Sequence, residues 1–266
     1  MKNNREHILK GIGKPEDRLA AAKLLDKSEL SRRTNKPVHS DFLDPRQQKL
    51  AEGLMKSAGI TSISFYGGYE EAERSVALFI PEMLQDDELE EYKKGIMKVI
   101  EITPPSRNSL THRDYLGALM GLGIRRDVTG DIVISDEKCS IIVLNDIADY
   151  IAGNLARVGN IGVSLKISDI IESCLPSNKG TELKAVVSAL RLDCICASAF
   201  GLSRSKAAEY IKSGKVQLEW EITQSTDKTV KEGDTLSLRG RGRAVLDKVG
   251  GRTKKDRINI IIRKYV

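Results

Sequence analysis

Aromatic residues are scarce in this sequence, where they make up 5% of 266 residues. Their scarcity limits the stacking of unpaired bases on exposed rings. Histidines are also few, and the three of them are scattered along the chain. No C-x2-C pair marks a zinc site; the cysteines are Cys139, Cys174, Cys194 and Cys196. We predict reduced, mostly buried thiols, and neither a metal nor a cofactor.

Long apolar runs are absent as well. No run approaches the roughly 18 residues of a membrane-spanning helix, and the charges in MKNNREHILKGIGKPEDRL come too early for the apolar core of a signal peptide. We therefore expect a cytoplasmic protein without a membrane partner. With 40% hydrophobic and 30% charged residues, the composition is typical of globular proteins. Because domains have roughly 100 to 200 residues, the length predicts two or three modules.

Positive charge is concentrated at the C-terminal end. Residues 1–190 carry 26 Lys and Arg against 28 Asp and Glu, a net −2, and residues 191–238 carry 7 of each. Residues 239–266 carry 10 basic and 2 acidic side chains, a net +8. Such a local excess attracts an anionic polymer more strongly than a diffuse +6 would. The alternative is a solubilising or frayed tail, which the strand-like apolar alternation of this segment disfavours.

The N-terminal residues, 1–60, are predicted to form a helical module. Apolar residues recur at helical spacing in LAAAKLLDKSEL. Asp44 and Pro45 fit the N-cap and the first position of a second helix, which Gly59 ends. Two β-rich runs follow in ITSISFYGGYEEAERSVALFIP. We assign this hairpin to the next module, residues 61–171.

The rest of this middle module is predicted as strand, helix, strand, strand, helix, strand. This is the split βαβ order of ferredoxin-like and RRM domains, so the fold class is α+β. The central strand CSIIVL has no aromatic residue, and we expect an RRM-like shape without the usual base-stacking surface. Thr111 and Asp114 fit a capping pair. Basic side chains at the two ends of that helix form either a second RNA contact patch or a solvated helix boundary with local ion pairs. They are His112, Arg113, Arg125 and Arg126.

A segment rich in small residues, 172–182, is predicted to link this module to a C-terminal domain, residues 183–266. Two helices are predicted there; Gly201 ends the first, and Ser203 is the N-cap of the second. Arg204 then lies in the first turn of the second helix, where free amides and the positive end of the dipole favour a phosphate. Its guanidinium adds a planar, bidentate donor.

Basic residues continue into a predicted C-terminal strand and tail. The glycines of RGRGR allow the backbone to approach a phosphate closely, or serve a tight turn. Asp193 is assigned structural support, through a pair with Arg204 or a cap of the helix corner, and no catalytic residue is assigned. The predicted RNA contacts are Arg191, Ser203, Arg204, Ser205, Lys206, Lys212, Lys215, Arg239, Arg241, Arg243, Arg252, Lys254, Lys255 and Arg257.

Residues 191–240 resemble the RNA-binding domain of ribosomal protein S-four, the alpha-L motif. The matched motifs are RLD, SRSKAAEYIKSGKV and VKEGDTLSLRG, in this order and at the expected spacing. The resemblance implies that the angled helix pair faces RNA and that the small sheet supports it. Glu219 departs from the pattern, which usually has Asn after the strand, and is left out of the site.

A wider resemblance covers most of the chain and points to the YlmH family of Gram-positive bacteria. It rests on FLDPRQQ, FYGGYEEAERS, LTHRDYLGALMGLGIRRD and GRGRAVLDKVGGRTKKDR. That family is encoded near cell-division genes and is implicated in ribosome-associated quality control. The resemblance implies a non-catalytic protein that binds rRNA and tRNA on large ribosomal subunits obstructed by peptidyl-tRNA, with no small-molecule substrate.

Two other functions stay open. RLD-containing pseudouridine synthases use the aspartate as a nucleophile, but Asp193 lies inside the first helix of the S-four-type domain and lacks the flanking residues of the synthase motif. The sequence also has no HIGH-like or KMSKS-like synthetase motif, and no Gly-rich methyltransferase loop after a first strand. The gene neighbourhood of the family suggests the other alternative, a cell-division scaffold that reads a protein surface and would not need the basic end.

Overall fold

The computed structural model describes residues 2–105, 110–135, 138–170 and 180–265. The chain divides into two compact units, Met1–Ser177 and Asn178–Val266. The predicted linker, 172–182, lies outside the described residues as far as 179, and its last two residues already belong to a strand. None of the described helices is long and apolar enough to cross a membrane.

The N-terminal module combines helices with a small sheet. Its elements are α1 (Lys2–Lys10), α2 (Pro15–Thr34), β1 (Val38–Leu43), α3 (Pro45–Ser57), β2 (Ile63–Tyr66) and β3 (Ser75–Phe79). The strands form an antiparallel sheet in the order β1-β3-β2, against which α2 and α3 bury Leu24, Leu54 and Met55. The predicted N-terminal helices are confirmed. The module also contains strands and extends past residue 60, because β1 pairs with β3 beyond that boundary.

The start of α3 follows from its own sequence. The carboxylate of Asp44 accepts the N–H of Gln47 at 2.8 Å, and the side-chain carbonyl of Gln47 accepts the N–H of Asp44 at 2.9 Å. These reciprocal bonds are a capping box. Pro45 occupies the first helical position, where its missing N–H leaves no intrahelical bond unmade. The predicted N-terminus of this helix is confirmed.

The middle module has the predicted βαββαβ order. After α4 (Asp86–Ile96) come β4 (Met97–Thr103), α5 (His112–Gly121), β5 (Thr129–Ile134), β6 (Cys139–Leu144), α6 (Asn145–Asn154), β7 (Arg157–Val158), β8 (Ile161–Gly162) and β9 (Ser164–Ser168). Neighbouring strands are antiparallel in the order β5-β6-β4-β9, as in a ferredoxin-like sheet. The run predicted as one last strand is divided into β8, which pairs with β7, and β9.

Helices α5 and α6 cover one face of this middle sheet. Leu119 and Ile151 pack against Ile100 and Ile141 of the strands. At the start of α5, the N–H and the hydroxyl of Thr111 both donate to the Asp114 carboxylate at 2.7 Å, so the predicted capping pair is confirmed.

The other face of the middle sheet is covered by the sheet of the N-terminal module. Met97 of β4 and Ile142 and Leu144 of β6 pack against Phe42 of β1 and Leu78 of β3. All residues of β6 are buried. Because RRMs stack bases on the face away from their helices, this arrangement confirms the prediction of an RRM-like shape without that surface. The physical reason is the covering sheet, and not only the lack of aromatic residues.

The C-terminal unit is an antiparallel sheet with two helices on one face. Its elements are β10 (Thr181–Val187), α7 (Leu192–Phe200), α8 (Arg204–Lys212), β11 (Val216–Leu218), β12 (Glu221–Ile222), β13 (Thr235–Leu238), β14 (Gly242–Arg252) and β15 (Ile258–Tyr265). The strand order is β10-β15-β14-β13-β11-β12. Leu192, Ile195 and Ala207 of the helices are buried against Leu236 and Ile260 of the sheet.

The basic C-terminal segment forms two long strands of this sheet. β14 pairs with β15 from Arg243↔Tyr265 to Arg252↔Ile258, and β15 pairs on its other side with β10. The predicted strand is confirmed. The predicted tail is wrong for the part of the chain that the structure describes, because β15 pairs with β10 as far as Lys264 and with β14 as far as Tyr265.

Candidate nucleic-acid interface

The two helices of the C-terminal unit meet at a corner. α7 ends at Gly201, whose φ of 62° lies in the left-handed region, which suits a residue without a Cβ. α8 begins after Ser203, whose hydroxyl accepts the N–H of Lys206 at 3.2 Å. This is the predicted N-cap. The first turn of α8 is exposed, so its remaining free amides and the positive end of the helix dipole face solvent.

Asp193 holds two arginines at this corner. Its carboxylate lies 3.2 Å from Arg191 Nε and 2.8 Å from Arg204 Nε, and it also accepts the N–H of Cys194 at 3.0 Å. Burial alone would raise the pKa of Asp193, but the hydrogen bonds from Arg191 and Arg204 hold it below its usual value. The carboxylate is 7% exposed, whereas the Arg204 side chain is 54% exposed. The predicted pair of Asp193 and Arg204 is confirmed, and Arg204 keeps part of its guanidinium towards solvent.

Lysines extend the cationic surface along α8 and the turn after it. Lys206 pairs with Glu209 at 2.8 Å, so its charge is partly balanced. The ammonium groups of Lys206 and Lys215 lie 5.3 and 5.4 Å from the ring centroid of Tyr210, within cation–π distance of the same ring. Lys212 is exposed at the end of the helix.

The turn between β13 and β14 brings two further arginines to the same corner. The N–H of Arg239 donates to the Lys215 carbonyl at 3.0 Å, and Arg241 Nη1 lies 3.4 Å from the carbonyl of Phe200, the last residue of α7. Gly240 and Gly242 have φ of 85° and 88°, so they serve a tight turn, one of the two roles considered from sequence. We call the predicted contacts gathered here the helix-corner group. They are Arg191, Ser203, Arg204, Ser205, Lys206, Lys212, Lys215, Arg239 and Arg241.

Four other predicted contacts lie at the opposite end of β14. Arg252 ends this strand, and its guanidinium pairs with Asp256 at 2.6 Å. At about 3.3 Å per residue, the length of β14 separates them from the turn at Gly242 by about 30 Å. All are exposed. We call them the hairpin-tip group: Arg252, Lys254, Lys255 and Arg257.

Arg243 belongs to neither group. Its Cζ lies 4.4 Å from the ring centroid of Tyr265 and 5.8 Å from that of Trp220. Neither aromatic residue was predicted as a contact. The signals that could have found them are the position of the one tryptophan of the chain, between two short strands, and a tyrosine that ends the last strand.

Arg126 of the second predicted patch is tied to the backbone. Its Nη1 donates to the carbonyls of Thr129 and Gly130, both at 2.8 Å. Burial, together with the nearby charge of Arg74, lowers the pKa of Arg126 to about 10. Its guanidinium is therefore engaged inside the module, and the assignment of Arg126 as an RNA contact is corrected.

The remaining members of that patch are exposed around α5. Arg125 pairs with Asp127 at 3.0 Å and lies 3.6 Å from Asp41, as the alternative of local ion pairs anticipated. Surrounding protein atoms and the Arg126 charge lower the pKa of His112. With Arg113, these side chains form a weaker cationic surface than the helix-corner group.

The described residues contain no group of three or more His, Cys, Asp and Glu side chains placed to hold a metal ion. Cys139, Cys194 and Cys196 are buried and free, as predicted, and Cys174 lies outside the described residues. Burial raises the pKa of both Cys139 and Cys196 to about 12.

The native protein is therefore expected to resist alkylation at Cys139 and Cys196. The thiolate is the reactive form, and at neutral pH a pKa of about 12 leaves almost none of it. Maleimide labelling followed by peptide mass spectrometry should modify both residues in denaturant and neither in buffer. Rapid labelling of either one in the folded protein would contradict their burial.

Three family models match the chain. Residues 16–81 match "YlmH, N-terminal", residues 89–172 match "Putative RNA-binding domain in YlmH", and residues 190–236 match "S4 domain". The chain is also 37% identical over 219 residues to "Ribosome-associated protein quality control protein P2" of Bacillus subtilis (strain 168), which covers 82% of this chain and 83% of that protein. The chain belongs to the YlmH family. The YlmH N-terminal match runs to residue 81 and thus includes β2 and β3, as the sheet does.

A solved structure is also similar. It is the "Cell division protein ylmH from Streptococcus pneumoniae", at 24% sequence identity and a TM-score of 0.49, with 59% of this chain and 93% of that chain covered. The RNA-binding match runs from α4 through β9 of the middle module. The S4 match covers α7 and α8 and ends before Arg239 and Arg241.

Proposed function

We propose that this protein binds rRNA and tRNA on the large ribosomal subunit and acts there without catalysis, in the quality control of obstructed subunits that carry peptidyl-tRNA. The helix-corner group carries the proposal. Residues from α7, α8 and the β13–β14 turn converge on one exposed corner, although up to 50 positions separate them in the sequence. The name of the Bacillus relative supports the ribosomal setting, and such a setting would place the protein in the cytoplasm.

The chemistry of the corner suits a phosphate backbone. The exposed first turn of α8 offers free amides at the positive end of a helix dipole, and Arg204 stands beside them with Asp193 fixing its orientation. A guanidinium held in place loses less conformational entropy when it binds than a free one does. The corner therefore provides a preformed site for one phosphate, and the surrounding lysines and arginines extend the attraction along an RNA strand.

The position of Asp193 supports a role without catalysis. A carboxylate that acts as a nucleophile must reach its substrate, whereas Asp193 is 7% exposed and accepts hydrogen bonds from Arg191, Arg204 and the Cys194 N–H. These contacts engage both oxygens of the carboxylate within the protein. Purified protein incubated with rRNA is expected to leave uridine unmodified; pseudouridine in that RNA would contradict the proposal.

Arg204→Ala should weaken binding to large subunits by about 1.5–3 kcal/mol, or about 10- to 150-fold, since it removes a charged hydrogen bond to RNA. The fold should persist, because Asp193 keeps Arg191 and the Cys194 N–H as partners. The Arg204 side chain itself is exposed, so little packing is lost with it. Co-sedimentation with purified large subunits measures the effect, and circular dichroism checks the fold.

Arg32→Ala is the matched control for this experiment. Arg32 is also an exposed arginine on a helix with one carboxylate partner, Glu29 at 2.8 Å, but it lies on α2 of the N-terminal module. Both variants lose one positive charge, so a general effect of net charge would weaken them equally. Equal binding by the two variants would remove Arg204 from the interface.

A further inference from the structure

The sheet of the C-terminal unit has a second face, directed away from α7 and α8. One row of paired residues crosses it: Tyr265↔Arg243, Arg243↔Ser237, Ser237↔Gln217 and Gln217↔Ile222. The adjacent row, which includes Ala244, Leu236 and Leu218, is buried in the core beneath the helices. Because side chains alternate between the faces of a strand, the Tyr265 row points to the opposite side. Its members are partly exposed, and Ile222 is 65% exposed.

Two aromatic rings and a planar cation meet on this outer face. Arg243 lies with its Cζ 4.4 Å from the Tyr265 centroid and 5.8 Å from the Trp220 centroid. Rings beside a guanidinium are what proteins use to stack unpaired bases, since every base has a π-face and its backbone carries negative charge. Trp220 and Tyr265 are both partly exposed on this face, whereas the corresponding face of the RRM-like sheet is covered.

The backbone at Trp220 adds a second, independent observation. Glu219 and Trp220 form the two-residue turn between β11 and β12, with φ of 51° and 65°. Such turns strongly prefer Asn and Gly, because side chains with a Cβ are disfavoured at positive φ. The Glu219 side chain accepts the Thr235 N–H at 2.7 Å, and this bond offsets the cost of its positive φ. The Trp220 indole lies beside Arg243, and bulky residues held at such a φ cluster at functional sites.

We propose that Trp220, Arg243 and Tyr265 form a stacking platform for an unpaired base of single-stranded RNA. We call them the sheet platform. It extends the proposed function, since it presupposes that the protein binds RNA, but it uses the face of the sheet opposite to the helix-corner group. A base lies against the ring of Trp220 or Tyr265, while the Arg243 charge attracts the adjoining phosphate. One unit could then hold a folded RNA at the helix corner and an unpaired nucleotide on the sheet.

Trp220 is the one tryptophan of the chain, so its fluorescence reports directly on the platform. Titration with a single-stranded oligouridine should quench this fluorescence saturably, since a stacked base contacts the indole. A blunt RNA duplex with the same number of phosphates should quench it much less, because paired bases are not free to stack. Equal quenching by the two RNAs, or none by oligouridine, would overturn the platform.

Two substitutions separate stacking from backbone strain. Trp220→Phe and Trp220→Leu both place a side chain at the same positive φ, but phenylalanine alone keeps an aromatic face. In fluorescence anisotropy with labelled oligouridine, the Leu variant should bind at least about 10-fold more weakly than the native protein and the Phe variant within about 3-fold of it. Leu binding as tightly as Phe would show that no ring is needed and would overturn the proposal.

Trp220→Gly tests whether the ring serves the fold instead. Glycine relieves the backbone strain at this positive φ. If the ring serves RNA binding, the variant should have an unchanged or higher melting temperature and should lose oligouridine binding. A lower melting temperature with oligouridine binding retained would assign the indole to stability and overturn the platform.

Large-subunit co-sedimentation of the Leu variant keeps the two proposals distinguishable. Both proposals stand if Trp220→Leu no longer binds oligouridine but still sediments with subunits, and if Arg204→Ala weakens the sedimentation with subunits. Subunit binding without any oligouridine quenching by the native protein would remove the platform alone. Quenching without subunit binding would remove the ribosomal function alone.

Discussion

Replacing Arg74 with alanine is expected to lower the free energy of unfolding of the first unit, which contains the N-terminal and middle modules, by about 3–4 kcal/mol. Arg74 Nε donates to the Thr129 carbonyl at 3.0 Å, and its Nη2 donates to the carbonyls of Phe42 and Arg126, both at 3.2 Å. One half-buried guanidinium thus bonds to backbone groups from β1, β5 and the turn before β5. Alanine would leave these acceptors without this donor and would open a space between the two sheets.

Backbone hydrogen bonds of the loop around Arg74 hold this residue in place. Its N–H and that of Glu73 donate to Asp131 at 3.0 and 2.7 Å, and the Tyr69 hydroxyl donates to the same carboxylate at 2.8 Å. The loop motif FYGGYEEAERS therefore fastens the N-terminal sheet to β5 of the middle sheet. Burial lowers the pKa of Arg74, although nearby carboxylates such as Asp44 and Asp131 oppose the shift.

Two optical signals separate the response of the two units. Trp220, the one tryptophan, lies in the C-terminal unit, so its fluorescence follows the unfolding of that unit, whereas far-ultraviolet circular dichroism follows both. In a urea titration, Arg74→Ala should shift the dichroism transition to lower urea and leave the fluorescence transition in place.

Arg125→Ala is the matched control for the Arg74 experiment. Arg125 belongs to the same unit, but its side chain is 63% exposed and pairs with Asp127 at the surface, so its loss should change stability by about 1 kcal/mol or less. If Arg74→Ala unfolds no more easily than Arg125→Ala, the guanidinium does not hold the sheets together.

Helix starts were predictable from sequence because they are decided locally. Asp44 and Ser203 each accept an N–H only three positions ahead in the chain, and Thr111 donates to the Asp114 carboxylate at the same spacing. A capping pair within one turn suffices to predict the helix start. The βαββαβ order was predictable for a similar reason, since each element carries its own apolar period.

Pairing between distant strands was not predictable in the same way. β1 bonds to β3, and Val38 pairs with Phe79 across 41 positions. A short strand without a hairpin partner has no local signal of the sheet that it joins. For the same reason the sequence did not reveal that Phe42 and Leu78 would cover the middle sheet.

The number of charges in a segment does not show which of its basic residues are exposed and which support the fold. Arg125 and Arg126 are adjacent in sequence, yet one is exposed and the other bonds to the carbonyls of Thr129 and Gly130. The backbone carbonyl of Arg126 also accepts a bond from Arg74, which lies 52 positions earlier. Likewise the +8 of residues 239–266 suggested one electrostatic arm, but β14 (Gly242–Arg252) separates the basic residues before it from those after it.

Binding to large subunits is expected to weaken steeply with salt. The helix-corner group contains seven Lys and Arg side chains, and five phosphate contacts at a log-log slope of roughly −0.7 to −0.9 each would give a total slope of about −4. A fourfold rise in salt would then lower the affinity by about 250-fold. A scaffold that reads a protein surface through apolar contacts would show a nearly flat dependence. Co-sedimentation over a series of potassium chloride concentrations distinguishes the two functions.

The slope also tests how the two basic groups divide the RNA. Arg204→Ala should reduce its magnitude by about 1, because one phosphate contact is lost. A double variant, Lys254→Ala with Lys255→Ala, removes two exposed cations about 30 Å away at the hairpin tip. If both ends of β14 contact the same RNA, this variant should flatten the slope by about 1.5 to 2. An unchanged slope would confine the interface to the helix corner, whereas a flat dependence in the native protein would contradict RNA binding at either end.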